Sequence, residues 1–135
     1  MSATPAEALA QARLTLVLDH VFFGCLSTKL APVESKRTQT MATDGKHLFY
    51  NSPYVLSLNA EHLLGLVAHK VMHCALAHQT RRSDRDAKQW NEAADYAINP
   101  LLVEAGFTLP EGGLLDHRYA GMSAEQIYDR LTPPP

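Results

Sequence analysis

The chain has 135 residues and a mass of 14.9 kDa, which suits one domain and excludes two of ordinary size. Hydrophobic residues make up 46% and charged residues 19%, a globular composition that excludes a wholly disordered chain. Twelve basic residues stand against fourteen acidic ones, for a net charge of -2; this gives no basic excess for nucleic acid or an anionic membrane surface, and the apolar stretches are too short to span a bilayer.

At the N-terminus no basic segment precedes an apolar run, so no secretory signal is expected. Thr4-Pro5-Ala6-Glu7 is a helix start, with Thr4 as cap, Pro5 in the first position and Glu7 closing a capping box. Apolar residues at helical spacing then predict a helix from about Pro5 to Phe23, stopped at Gly24. Between Leu26 and Tyr50 the pattern favours strands. Asp44-Gly45 between two short β-prone runs marks a hairpin, and Pro32 suits an edge or a strand end. A small antiparallel sheet is expected there, with an edge strand near Lys46 to Tyr50 able to hold an extended peptide.

Ser52 is read as the cap of a short turn from Pro53. Asn59 is read as the cap of a long, largely apolar helix from about Ala60 to Thr80, which belongs in the domain centre. Arg81 to Lys88 reads as a solvated, charged linker. A third helix is expected from about Ala87 to Ala105, kinked or divided at Pro100. Leu109 to Tyr119, with Gly112-Gly113, reads as loop. Ser123 to Gln126 is a second capping box, opening a last helix to about Leu131. Pro133-Pro134-Pro135 reads as the start of a linker, so the domain is placed at 1–132. Cys25 and Cys74 lie far apart in apolar surroundings, as reduced buried thiols of a cytoplasmic protein would.

The chemistry centres on Ala68-His69-Lys70-Val71-Met72-His73. Four residues span about 400° of helix, so His69 and His73 share a face and can chelate one cation. Zinc is the usual partner of imidazoles in a buried site, with three protein ligands and an open fourth position. His78 lies about 900° beyond His69, on the opposite side of the same helix, and is expected in solvent near its end. On the next helix Asn91, Asp95 and Asn99 form a polar stripe among alanines at i, i+4 and i+8. Asp95 is therefore the preferred third ligand, or a carboxylate that orients a histidine from behind; His117 and Glu92 are the other contenders. Asn91 and Asn99 are candidates for supporting or substrate contacts. Tyr96, Tyr119 and Tyr128 are read as packing aromatics, and His20, His47 and His62 as surface or edge residues.

Taken together, the chain resembles the N-terminal metallopeptidase domain of the DUF2201 group, found in bacterial proteins in which a VWA-like domain follows. The resemblance rests on Met41-Ala42-Thr43-Asp44-Gly45 with Tyr50-Asn51, on Ala68-His69 through His73 and His78, on Trp90-Asn91, Ala94-Asp95-Tyr96 and Ile98-Asn99, and on Gly121 to Glu125 with Ile127-Tyr128. It implies an α+β, zincin-like fold: a small antiparallel sheet on a central HxxxH helix with two or three further helices. It also implies zinc on His69, His73 and Asp95, a peptide or protein substrate, an AAA+ ATPase partner, and a linker at 133–135 to a VWA-like domain.

The chain departs from the HExxH pattern at one position, because Lys70 occupies the place of the general-base glutamate. A lysine ammonium has three donors and no acceptor, so it takes a proton from water only if its pKa is strongly depressed. A dication and an ammonium about 5 Å apart repel by about 7 kcal/mol at an effective dielectric near 20, which weakens the metal or drives Lys70 away; pairing of Lys70 with Asp95 is the other arrangement. Impaired or abolished peptide hydrolysis is expected, the alternative function being a non-catalytic module that binds a protein partner.

Overall fold

The computed structural model describes residues 4–109 and 114–131. The expectations for Gly112-Gly113 and for the triproline end lie outside the described residues.

Helix α1 (Pro5–Asp19) begins as the sequence predicts. Thr4 Oγ1 accepts from the Glu7 amide at 3.1 Å and donates to the Glu7 carboxylate at 2.9 Å. The chain then breaks at His20 (φ -138, ψ 70) and resumes as α2 (Val21–Ser27), where one longer helix was expected. Tertiary packing overrides the helical period at this point: the His20 ring lies 4.2 Å and the Phe23 ring 4.9 Å from that of Phe107, both centroid to centroid. Gly24, read as a stop, lies inside α2. It is a contact residue, since a Cβ there would meet the Val17 backbone at 2.4 Å.

Three strands follow: β1 (Ala31–Glu34), β2 (Met41–Thr43) and β3 (His47–Tyr50), in the order β1-β3-β2. The Asp44-Gly45 turn joins β2 to β3 as an antiparallel hairpin, with Asp44 Oδ1 accepting from the amides of Lys46 and His47 at 2.8 and 2.7 Å. The sheet is mixed rather than wholly antiparallel, because the connection after β1 carries the chain past β3 and leaves β1 parallel to it, Ala31 opposite His47. Consequently β3 is the central strand, not an edge; the edges are β1, which carries Pro32 as expected, and β2.

Asn51, rather than Ser52, caps the short helix α3 (Ser52–Ser57), accepting from the Tyr54 amide at 3.0 Å. Helix α4 (Ala60–Ala75) is capped by Asn59 and buries Leu63, Leu66, Val67, Ala68 and Val71. It stops five residues earlier than its pattern suggests, at a left-handed Ala77 (φ 53), and the short α5 (His78–Arg81) leaves in a new direction. Helix α6 (Ala87–Glu104) is capped by Asp86 and runs through Pro100 undivided. A 3-10 turn (His117–Tyr119) interrupts the expected loop, and α7 (Ala124–Leu131) starts from the Ser123–Gln126 box.

Two apolar clusters meet along α6. Ile98 and Leu102 join the main core with Leu9, Leu16, Leu48 and Val67, whereas Trp90, Ala93, Ala94 and Ala97 pack on Ala124 and Ile127 of α7. The expected charged linker is part of this second contact. Arg81 forms an ion pair with Glu125, and the Arg85 guanidinium lies over the rings of Trp90 and Tyr128. Tyr96 and Tyr119 pack ring to ring at 5.1 Å. Cys25 is exposed and Cys74 half-buried, and both are free thiols, so the expected burial fails for Cys25.

Helix α4 is held against the segment after α6 by Gly65, where an added Cβ would lie 2.0 Å from the Thr108 carbonyl oxygen. Gly65→Ala should therefore destabilise the fold by about 1–3 kcal/mol, despite alanine's better helix propensity, as measured by urea denaturation; an unchanged or raised midpoint would show that the contact is not limiting.

Candidate metal centre

His69 and His73 project from one face of α4, and Asp95 faces them from α6. His69 Nε2 lies 2.9 Å from Asp95 Oδ1, His73 Nε2 lies 3.0 Å from the same oxygen, and the two nitrogens are 2.9 Å apart. The three atoms form a nearly equilateral triangle. Ligands of a tetrahedral ion with bonds of about 2.0–2.1 Å stand about 3.3 Å apart, so a few tenths of an ångström of side-chain movement adapts this set to a metal. Among the described residues these three form the group able to hold an ion; Glu92 and the exposed His117 stay outside it.

Both imidazoles are held from behind. His69 Nδ1 lies 2.9 Å from Asn99 Oδ1, and the buried Asn99 uses its Nδ2 to donate to the Leu114 carbonyl at 2.6 Å. That second bond fixes the amide so that its oxygen accepts from His69 Nδ1–H, leaving the Nε2 lone pair aimed at the triangle. Asn91, the other polar residue of the stripe, lines the adjoining cavity. The i, i+4, i+8 stripe thus comes together as one wall of the site.

His78 departs from expectation. It is 3% exposed, and its Nδ1 lies 3.0 Å from His73 Nδ1. Extrapolation along a straight helix placed it on the far side; the turn at Ala77 brings it back. Its main-chain oxygen accepts from Trp90 Nε1 at 2.7 Å, and its ring stands edge-on to the indole. Burial, with the nearby charges of His73 and Arg81, lowers its pKa to about 4. A neutral His78 accepts from His73 Nδ1–H, which again turns an Nε2 lone pair toward the triangle; the His78 proton then sits on Nε2, which has no hydrogen-bond partner among the described residues. The only advance signal was the spacing of three histidines, and only the local backbone gives it meaning.

Asp95 is half-buried. Burial raises its pKa, but the hydrogen bonds and charges of His69 and His73 outweigh this and hold it below the usual carboxylate range. His73 is shifted down, chiefly by burial. Three lone pairs converging at 3 Å need a positive charge among them, either a proton on one imidazole or a metal ion.

Lys70 lines the cavity beside His73 and Asp95. It forms no ion pair with Asp95, whose partners are the two imidazoles. Burial lowers the Lys70 pKa from its ordinary value, and the neighbouring Asp95 carboxylate opposes that shift.

Residues 4–133 match the profile of the DUF2201_N family, described as "Putative metallopeptidase domain". The chain belongs to this family. No curated protein and no solved structure matches it. The DUF2201_N assignment and the His/His/Asp triangle agree on a potential metal centre in a metallopeptidase-like α+β domain. Among the described residues no helix is long and apolar enough to cross a membrane.

The folded-state pKa of His78 lies below the unfolded value of about 6.5. Its contribution to stability is thus present above about pH 6.5 and lost as the pH falls toward 4. Urea denaturation of metal-free protein between pH 7.5 and 4 should show a falling midpoint. His78→Gln should reduce that slope; an identical pH dependence in the variant would contradict the assignment.

Proposed function

We propose that this domain is a zinc-binding metallopeptidase-type module whose peptide hydrolysis is impaired because Lys70 stands in for the general base. The observation that carries the reading is the meeting of His69 Nε2, His73 Nε2 and Asp95 Oδ1 within 3.0 Å of one another. Two imidazoles and one carboxylate are a donor set that suits zinc and leaves a coordination position open. When bound, zinc polarises a carbonyl and lowers the pKa of water.

The chain's own residues account for the rest. Asn99 and His78 hold the two imidazoles in the tautomer with free Nε2. The outer edge of β2 runs beside the cavity through Ala42 and Thr43, so the strand able to accept an extended peptide is β2, not β3. What is missing is an acceptor at position 70. An ammonium there donates but does not accept, so the proton that must leave an attacking water has no base in the usual place. On this reading metal binding is kept and turnover is impaired. A module that docks a protein partner without any metal is the competing account.

The test is zinc content and affinity of the unmodified chain, of Asp95→Ala, and of Lys70→Glu, followed by peptide hydrolysis. The unmodified chain should take up one zinc, and Asp95→Ala should weaken it by more than the about 10–100-fold typical of changes behind a ligand. Lys70→Glu should raise hydrolysis by about 10²–10⁴-fold, the usual range for general-base catalysis. No zinc in either the unmodified chain or Lys70→Glu favours the partner-docking module. Turnover in the unmodified chain equal to that of Lys70→Glu would show that lysine serves as the base.

A further inference from the structure

The proposed function leaves two cations at the site without a task. The cavity beside the metal centre has a volume of about 520 Å³, and both Lys70 and Arg82 line it. Lys70 comes from α4, and Arg82 is the residue that ends α5. Among the described residues neither side chain forms an ion pair, and neither donates a hydrogen bond; Arg82 is engaged only through its main-chain oxygen. The one carboxylate in the lining, Asp95, is already shared between two imidazoles. Counting Lys70, Arg82 and Asp95, the lining carries one net positive charge before any metal ion is added.

One further feature acts in the same direction. Lys70 is half-buried, and a partly desolvated cation that forms no ion pair gains more from a ligand's counter-charge than a fully solvated one does. Arg82 is placed to offer the planar fork that fits a carboxylate with two parallel hydrogen bonds. The volume fits a few residues of extended chain, not a folded domain, and the edge of β2 at Ala42 and Thr43 runs along it.

We propose that this cavity selects a peptide segment carrying a carboxylate side chain, with Arg82 and Lys70 as its anion contacts beside the His69/His73/Asp95 centre. The inference deepens the peptidase-type reading and rests on it for the choice of a peptide over another anion. On this view the substitution at position 70 exchanges a proton acceptor for an anion receptor. Neutral and basic peptides lose the contact, and a basic side chain meets like charge.

The test uses the full chain, metal-free and zinc-loaded, titrated by NMR at low salt. The probes are three acetylated, amidated tetrapeptides, Ala-Ala-Glu-Ala, Ala-Ala-Gln-Ala and Ala-Ala-Lys-Ala, and inorganic phosphate. The glutamate peptide should bind at least about tenfold more tightly than the glutamine peptide in both forms of the protein, and the lysine peptide more weakly still. Arg82→Gln should abolish the preference for glutamate over glutamine, with the fold checked by thermal melting. Equal affinities for the glutamate and glutamine peptides, no binding of either, or an unchanged preference in Arg82→Gln would overturn the proposal. Phosphate binding as tight as the glutamate peptide would mark a general anion site and overturn the peptide assignment. Failure of zinc to bind while the Arg82-dependent preference persists would remove the metal reading and leave the acidic-segment site standing.

Discussion

One carboxylate oxygen ties the molecule's two principal helices together. Asp95 Oδ1 lies between the imidazoles of His69 and His73, so α4 and α6 are joined by charge as well as by the apolar contacts of Ile98 and Leu102. In an otherwise apolar interface such a cluster is costly unless its members are matched, and among the described residues only the outlying His78 Nε2 lacks a partner. The matching extends outward: Asn99 holds one imidazole and is itself held by the Leu114 carbonyl, while His78 holds the other and is pinned by Trp90. Trp90 belongs to the second apolar cluster, and the Arg81–Glu125 pair fastens α7 to the same region. Asn99, Leu114, His78 and Trp90 therefore help to fix two nitrogen lone pairs and an oxygen at one point.

Position 70 separates two properties that usually travel together. Chelation depends on lone pairs aimed inward, and every residue needed for that is present. Proton transfer depends on an acceptor one residue after the first histidine, and lysine supplies a donor instead. On the proposed reading, the domain keeps the capacity to hold a metal and loses the step that cuts a peptide.

Much of this was legible in the sequence, because local rules govern it. Thr4, Asn59 and Ser123 cap the helices as read, and the Asp44-Gly45 pair forms the turn that its type predicts. Asp95 was visible because polar residues at i, i+4 and i+8 on an alanine-rich helix have only one face to occupy. The features that were missed depend on partners distant in sequence or on a single backbone torsion. His78 was placed in solvent because a straight helix was extended through Ala77, whose left-handed conformation nothing in its side chain announces. Arg81 and Arg85 looked like a solvated run because their partners, Glu125 and Tyr128, lie more than forty residues away. The parallel pairing of β1 with β3 is likewise a matter of topology, which alternation of residues does not encode.

The account stands or falls on whether the triangle of donor atoms holds a cation. The most direct measurement is an anomalous-difference map at the zinc absorption edge from crystals grown with zinc. The account predicts a peak about 2.0–2.2 Å from His69 Nε2, His73 Nε2 and Asp95 Oδ1 together, with the Lys70 amine turned away from it. A map without that peak, or one in which the Lys70 amine fills the space between the two imidazoles and Asp95, would contradict it.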